Sequence, residues 1–387
     1  MIDQNPVYLM DASAFIHRSF HAIRNLSTKD GRPTGAIYGF TATLLKLLKD
    51  KKPQALAVIF DSRGPGRRHQ IYPEYKANRG PMDEALAAQQ EAIRQVVKYL
   101  GVFSLEKDGV EADDLIAVAA RRFAAEERQV VIVSSDKDFY QLLNDNISMY
   151  DPDPKKDSAL TKEAFRERFG LEPQSFLDMQ ALMGDSSDNI PGVPKVGEKT
   201  AQKLIARYGS LDNIYENLAE VTPEKLRDNL AANRESAYLS RELASLGHGA
   251  EFICKLEELQ PGDGDRTKLM ELFRDLEFSR LIKELAPEGE STQDLLPATT
   301  EDSAPVIYDH SLLVDNEAAW EVLLAALIKA EVLSVDLETD SPSPSGCSLV
   351  GMSLCAEARP AFYISVDHRT LGAKNQKWHL VPETVGH

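Results

Sequence analysis

Cysteine is scarce in this chain. There are three in 387 residues, Cys254, Cys347 and Cys355, and no two form a Cys-x-x-Cys pair. That spacing excludes a disulfide framework and a cysteine zinc site, and it fits a reducing cytoplasm. Long apolar runs are also missing. Nothing approaches the roughly 18 uninterrupted apolar residues of a membrane span, so no membrane partner is expected. The opening MIDQNPVYLMDAS meets an acid at once and lacks the basic-then-apolar layout of a secretory signal. Positive charge is in deficit, with Lys+Arg 44 against Asp+Glu 61 and a net charge of −17. That average argues against a nucleic-acid partner, but the deficit is uneven. Residues 1–110 hold 16 Lys/Arg and 11 Asp/Glu, a local +5, whereas Glu284–Ile328 holds ten acids and no Lys or Arg. A basic lobe binds phosphate through its own field, whatever the total.

What is present is a set of short apolar runs that end in aspartate. Val7–Met10 leads to Asp11, Ala55–Phe60 to Asp61, and Val130–Val133 through Ser134-Ser135 to Asp136. Each reads as a buried strand. Helical patterns at Gly35–Lys49, Asp83–Leu100 and Ala112–Glu126 separate them, which predicts an α/β fold built on a parallel sheet. In such sheets the ligand crevice lies beyond the carboxyl ends of the strands, so three aspartates are expected at one acidic edge. Residues 161–285 read as mostly helical. From 287 to about 306 periodicity is lost and an acidic linker is expected. A second, short α/β segment follows, with a helix near Glu317–Ala330 and strands near Val332–Val335, Leu349–Leu354 and Ala361–Val366.

The acids come in tight groups: Asp11, Asp61, Glu111-x-Asp113-Asp114, Asp136-x-Asp138 and Asp185-x-x-Asp188. Singly, Asp11, Asp61 and Asp136 suit helix caps, and Glu111–Asp114 suits an acidic first turn. Gathered in one crevice they would repel one another unless cations sat among them. Hard oxygen donors select magnesium or manganese, and two such ions can drive phosphodiester hydrolysis.

Cations and aromatics surround the predicted crevice. The stretch SRGPGRRHQIYPEYKANRGPM places Arg67, Arg68, Lys76 and Arg79 among Tyr72 and Tyr75. Cations suit backbone phosphates and rings stack on unpaired bases, so a mobile binding segment over the crevice is expected. Arg18 follows the first strand, within reach of the same phosphate. Farther on, Gly192, Val193, Lys195, Gly197, Lys199 and Thr200 form a turn before an amphipathic helix, a pattern suited to phosphate at a helix start but also to a plain interhelical turn.

The stretches TGAIYGF, VIFDS, YKANRGPM, GVEADDLIA, SSDKDFYQL and MGDSSDNIPGV…VGEKTA resemble, in order and spacing over about residues 5–285, the 5′ nuclease domain of the bacterial DNA polymerase I family, a branch of the flap endonuclease family. The resemblance implies a PIN-like 5′ nuclease core with a helical arch over residues 1–160. It implies a helix-hairpin-helix DNA-binding region over 161–286. The implied activity is a 5′-3′ exonuclease and flap endonuclease acting on DNA flaps, nicks and gaps in replication and repair. It would use two Mg²⁺ or Mn²⁺ ions and work as a cytoplasmic, nucleoid-associated monomer. By motif, Asp11, Asp61, Glu111, Asp113, Asp114, Asp136, Asp138, Asp185 and Asp188 correspond to metal-site carboxylates. Asp61, Glu111 and Asp113 would serve the first ion, and Asp136, Asp138, Asp185 and Asp188 the second. Lys76 and Arg79, with Asp113, correspond to the catalytic residues, and Tyr75 to a base-stacking residue. The hairpin at 192–200 would grip the duplex backbone, with potassium as its candidate ion. Here the chain departs from the family: Lys195-Val196-Gly197 replaces the usual Gly-Val-Gly, and lysine tolerates a positive φ poorly.

Residues 307–387 resemble the opening of a 3′–5′ exonuclease-type domain, on the Asp-x-Glu of Ser334-Val335-Asp336-Leu337-Glu338-Thr339-Asp340. The later carboxylate motifs of that domain are not in this sequence, so an acidic strand end without activity is expected, and no polymerase activity. Two rivals of another kind are a metal-dependent ribonuclease and a non-catalytic DNA-binding module.

Overall fold

The computed structural model describes residues 5–62, 64–152, 159–285, 311–314, 317–329, 332–339, 349–356 and 361–365. The expected linker at 287–306 lies outside them. The chain divides into two units, 1–297 and 298–387.

In the first unit, the apolar runs form β1 (Val7–Asp11), β2 (Ala55–Ile59) and β4 (Val130–Val133), joined by β3 (Phe103–Leu105), β5 (Ile147–Tyr150) and β6 (Ala159–Leu160). The order is β3-β2-β1-β4-β5-β6, parallel except for β6. Side-chain alternation splits the strands between two cores. Val7 and Leu9 face one core, with Ala57, Ile132 and Phe123, whereas Tyr8 and Met10 face the other, with Val58 and Phe40.

The helices of this unit are α1 (Ala12–Ala22), α2 (Gly35–Lys51), α3 (Arg67–Ile71), α4 (Glu84–Ala87), α5 (Gln90–Tyr99), α6 (Ala112–Ala125), α7 (Lys162–Phe169), α8 (Phe176–Met183), α9 (Glu198–Tyr208), α10 (Leu211–Glu216), α11 (Glu224–Ala232), α12 (Arg234–Ala244), α13 (Arg266–Asp275) and α14 (Ser279–Leu285). The helical region is not packed as a separate body. Phe165, Phe176 and Leu204 join the first core, and Leu269, Phe273 and Leu281 return to the second, beside Phe40 and Val97.

The helix expected over Asp83–Leu100 is broken at Ala88–Gln89. The Gln89 side chain is buried, and its Oε1 accepts from the N–H groups of Ala36 (2.8 Å) and Ile37 (3.2 Å). It thereby supplies the cap that Thr34, the residue before α2, does not.

The second unit holds α15 (Glu317–Lys329) and a sheet of β7 (Ser311–Leu313), β8 (Leu333–Thr339), β9 (Leu349–Ala356) and β10 (Ala361–Ser365) in the order β7-β10-β9-β8. Leu323, Leu354, Phe362 and Ile364 form its small core. Asp336 is exposed on β8, at the end of that strand order. Among the described residues, no helix is long and apolar enough to cross a membrane.

An aromatic knot joins the sheet layer to the helical region. Phe165 lies 4.6 Å from Phe169 and 5.8 Å from Tyr140, ring centre to ring centre, and Tyr140 lies 5.1 Å from Phe176. Phe165→Ala should therefore cost about 3–5 kcal/mol of stability, read as a lowered urea midpoint with an unchanged slope.

Candidate active site

Because β1, β2 and β4 are adjacent and parallel, their terminal acids emerge at one edge of the sheet. Each acid also does local work. Asp11 accepts from Ala14 N–H at the start of α1 (3.2 Å) and from the Ser134 hydroxyl (2.9 Å). Asp61 accepts from Ala112 N–H (2.8 Å), capping α6 from the neighbouring strand. Asp136 accepts from Asp138 N–H (3.0 Å) and starts the 3-10 turn Lys137–Leu142. The same three residues thus cap local turns and stand at one edge of the sheet.

Other elements complete the edge. The start of α6 brings Glu111 and Asp113, and the 3-10 turn brings Asp138. The loop after α8 brings Asp185 and Asp188, closed by paired backbone hydrogen bonds between Asp185 and Ile190 (2.9 and 2.8 Å). That loop crosses itself at Gly184 and Gly192, both at positive φ, where a Cβ on Gly192 would collide with the backbone of Met183 and Gly184.

The electrostatics show excess negative charge. Burial, then repulsion from Asp61, pushes Asp11 up to about 7. Burial, then Asp136 and Asp185, pushes Asp138 up to about 7. Burial likewise raises Asp113 and Asp136. Among the described residues, four cationic side chains offset this. Lys76 Nζ lies 2.9 Å from Glu111 and 3.7 Å from Asp188. Arg79 pairs with Asp188. Lys137 Nζ lies 2.8 Å from Asp185. Burial works against the Asp185 carboxylate, yet this ion pair holds it below its ordinary value. The fourth cation is Arg68.

Among the described residues, no three acids converge on one point closely enough to ligate an ion. The chemistry nevertheless fits a hard divalent cation: oxygen donors, in excess, at a crevice edge where added positive charge would relieve their repulsion.

Several expectations need correction. Arg68, expected to bind phosphate, is instead only 4% exposed. Its guanidinium forks onto Asp114 (2.8 and 2.9 Å), reaches Glu111 (3.1 Å) and donates to the carbonyls of Leu243 (2.7 Å) and Ser245 (3.1 Å). Asp114 is consumed by the same fork and by Gly247 N–H (2.7 Å), so it is a structural acid and not a free metal ligand. Tyr75 was read as a base-stacking ring. It is 2% exposed, packed with Ile190, Leu243 and Ala244, and its hydroxyl donates to Glu111 (3.2 Å) and Asp188 (3.1 Å). The segment carrying it is fastened rather than free. Lys76 N–H donates to the Asp188 carbonyl (2.9 Å), Asn78 to that of Ser186 (2.6 Å), and Asn189 to that of Glu74 (2.7 Å).

Val193 is 2% exposed and belongs to the core. Gly192 is buried, its N–H donating to Ser240 and its carbonyl accepting from Ser236, so neither offers itself to DNA. Arg18 pairs with Asp151 (2.8 Å), Arg67 with Glu242 (2.8 Å), and the Tyr72 hydroxyl donates to Glu74 (2.8 Å). Lys195, Gly197 and Lys199 are exposed around the hairpin, and Thr200 is half-buried just inside α9. Lys195 does adopt the glycine-like conformation, at φ 65°.

Sequence reasoning missed Lys137 and Gln180. Lys137 stood between two acids and was passed over as their neighbour. Gln180 donates to Asp138 (2.5 Å) from α8, a long-range pairing with no local signal.

A mostly parallel sheet with acids at its strand ends, and Lys76 and Arg79 paired with acids of that edge, fits the fold of a phosphodiester-cleaving nuclease. Comparison with known proteins agrees. Residues 6–170 match the family "5′-3′ exonuclease, N-terminal resolvase-like domain", and residues 171–267 match "5′-3′ exonuclease, C-terminal SAM fold". The 5′-3′ exonuclease of Aquifex aeolicus is 38% identical over 279 residues, 72% of this chain and 94% of that protein. DNA polymerase I of Pseudomonas aeruginosa is 37% identical over 382 residues, 97% of this chain, which spans only 41% of that protein's length. The solved structure of T5 5′-exonuclease with divalent zinc ions shares the fold, with a TM-score of 0.53 at 21% identity, covering 75% of this chain and 98% of that one. The chain belongs to the 5′-3′ exonuclease family, whose members hydrolyse DNA phosphodiester bonds.

Two outcomes test this geometry. Arg68→Ala leaves Asp114 buried and unpaired, so it should cost about 3–5 kcal/mol in chemical denaturation, and Arg68→Lys should not restore the fork. The second concerns pH. Asp11 and Asp138 stand at about 7 in the folded chain against an ordinary 3.8. Folding thus favours their protonated forms, a stabilisation complete below about pH 4 and lost as pH rises to about 7. In chelator, the melting temperature should fall over that interval. Saturating divalent ion should flatten the fall.

Proposed function

We propose that this chain is a magnesium- or manganese-dependent, structure-specific 5′ nuclease that acts as a monomer on DNA flaps, nicks and gaps in replication and repair. The observation that carries the reading is the edge itself, where acids from three adjacent strand ends, α6 and the 185–188 loop meet Lys76 and Arg79. Asp61, Glu111 and Asp113 would hold one ion, with Asp11 beside them. Asp136, Asp138, Asp185 and Asp188 would hold the second. Such ions activate an attacking water and stabilise the leaving oxygen.

The chain's own residues do the rest. Asp11 and Asp61 stay anchored by their cap bonds, so they present fixed oxygens. Tyr75 orients Glu111 and Asp188 from below. Lys76 and Arg79, once released from those acids, would hold the scissile phosphate and stabilise charge on it. Lys195 and Lys199 would take the duplex backbone at the hairpin, with potassium as the candidate ion there. The left-handed Lys195 preserves the turn that a glycine would give.

The test uses a 5′-labelled flap DNA with magnesium, with EDTA and Asp136→Ala as controls. Wild type should release the flap, and both controls should lose on the order of 100-fold or more in rate while DNA affinity persists. Binding without cutting in every metal would establish the binding-module alternative instead. A preference for RNA over flap DNA would favour the ribonuclease.

A further inference from the structure

Among the described residues, Lys137 is a partly exposed cation at the edge to which the nuclease reading gives no task. It sits between Asp136 and Asp138 at the first position of the 3-10 turn. Its Nζ lies 2.8 Å from Asp185 Oδ2. The two partners differ sharply in freedom, since the Asp185 side chain is 7% exposed and that of Lys137 45%. The carboxylates around it are fixed by other donors. Ser187 N–H holds the second Asp185 oxygen (2.7 Å), and Gln180 holds Asp138 (2.5 Å) from a side chain that is 1% exposed. Removing the lysine contact would therefore leave the acids in place and one buried oxygen free. Lysine suits such a contact because its ammonium is a compact point charge on a flexible stem.

We propose that the Lys137 ammonium is a built-in placeholder for the second divalent ion, neutralising Asp185 while that ion is absent and leaving when it binds. The placeholder weakens that ion's affinity, because binding must first break the 2.8 Å pair. It also keeps the metal-free edge from repelling itself apart. The proposal rests on the two-ion reading above.

The experiment titrates Mn²⁺ into the full chain without DNA and reads free Mn²⁺ by electron paramagnetic resonance. Wild type, Lys137→Met, Lys137→Arg and Asp185→Asn are compared. Lys137→Met should bind the weaker ion roughly two- to fivefold more tightly, the scale set by losing one partly exposed ion pair, and Lys137→Arg should stay close to wild type. Melting in chelator and at saturating Mn²⁺ gives a second readout. Lys137→Met should melt lower than wild type in chelator, and the gap should close with Mn²⁺. A weaker-site affinity that is unchanged or reduced in Lys137→Met overturns the placeholder while leaving two ions standing, and so does a melting deficit of equal size in both conditions. A wild type that takes up a single ion overturns the two-ion reading and the placeholder with it. An Asp185→Asn protein that still takes up both ions removes Asp185 from the site and overturns the placeholder alone.

Discussion

Repulsion among carboxylates is the constraint around which this molecule is arranged. A parallel sheet directs the ends of β1, β2 and β4 to one edge, and the chain puts an acid at each end. Adding the acids of α6, the 3-10 turn and the 185–188 loop would make the edge unstable if nothing opposed them. Burial sharpens the problem, which is why Asp11 and Asp138 both rise to about 7. The structure answers with cations of two kinds. Arg68 is buried, whereas Lys76, Arg79 and Lys137 reach the acids with side chains that are 22%, 54% and 45% exposed.

Arg68 ties α3 to two other parts of the chain. It comes from α3, yet it binds Asp114 on α6 and the carbonyls of Leu243, in the last turn of α12, and Ser245 just after it. Three segments distant in sequence are therefore tied at one guanidinium. Tyr75 adds a fourth tie, from the arch to both acid groups. A phosphate ligand at position 68 would have to leave this lattice and strand Asp114. Lys76 and Arg79 stand nearer solvent than Arg68, so breaking their ion pairs would cost less.

How far this was legible from sequence follows the range of each interaction. Strand runs ending in aspartate carry both their burial and their direction locally, so β1, β2 and β4 and the acidic edge could be read directly. The three-residue β3 and the half-polar β5 have too little periodicity to register. The break before α5 depends on Gln89 reaching α2, 52 and 53 residues away. The burial of Arg68 and Tyr75 is likewise long-range, with partners up to 177 residues distant. By composition both looked like surface binding residues, because Arg and Tyr serve buried ion pairs and nucleic acid equally well. The family resemblance located the carboxylates but could not say that Asp114 faces inward, because three residues on one helix turn differ in direction and not in type.

One stretch of backbone links the acids of the 185–188 loop to an exposed turn at Lys195. Gly184 and Gly192 cross closely enough that neither tolerates a Cβ, and the Asp185–Ile190 bonds close the loop between them. On one side of that crossing stand Asp185 and Asp188. On the other, Val193 and Val196 are clamped in the core, so Lys195 projects from the turn between them. The left-handed φ at Lys195 is then a consequence of the clamps and not of the lysine, which must accept a conformation costing of order 1 kcal/mol. Keeping a cation there at that cost fits a position facing a duplex backbone. The Asp185–Ile190 bonds and the burial of Val193 and Val196 thus connect the acids of the 185–188 loop to the turn that carries Lys195.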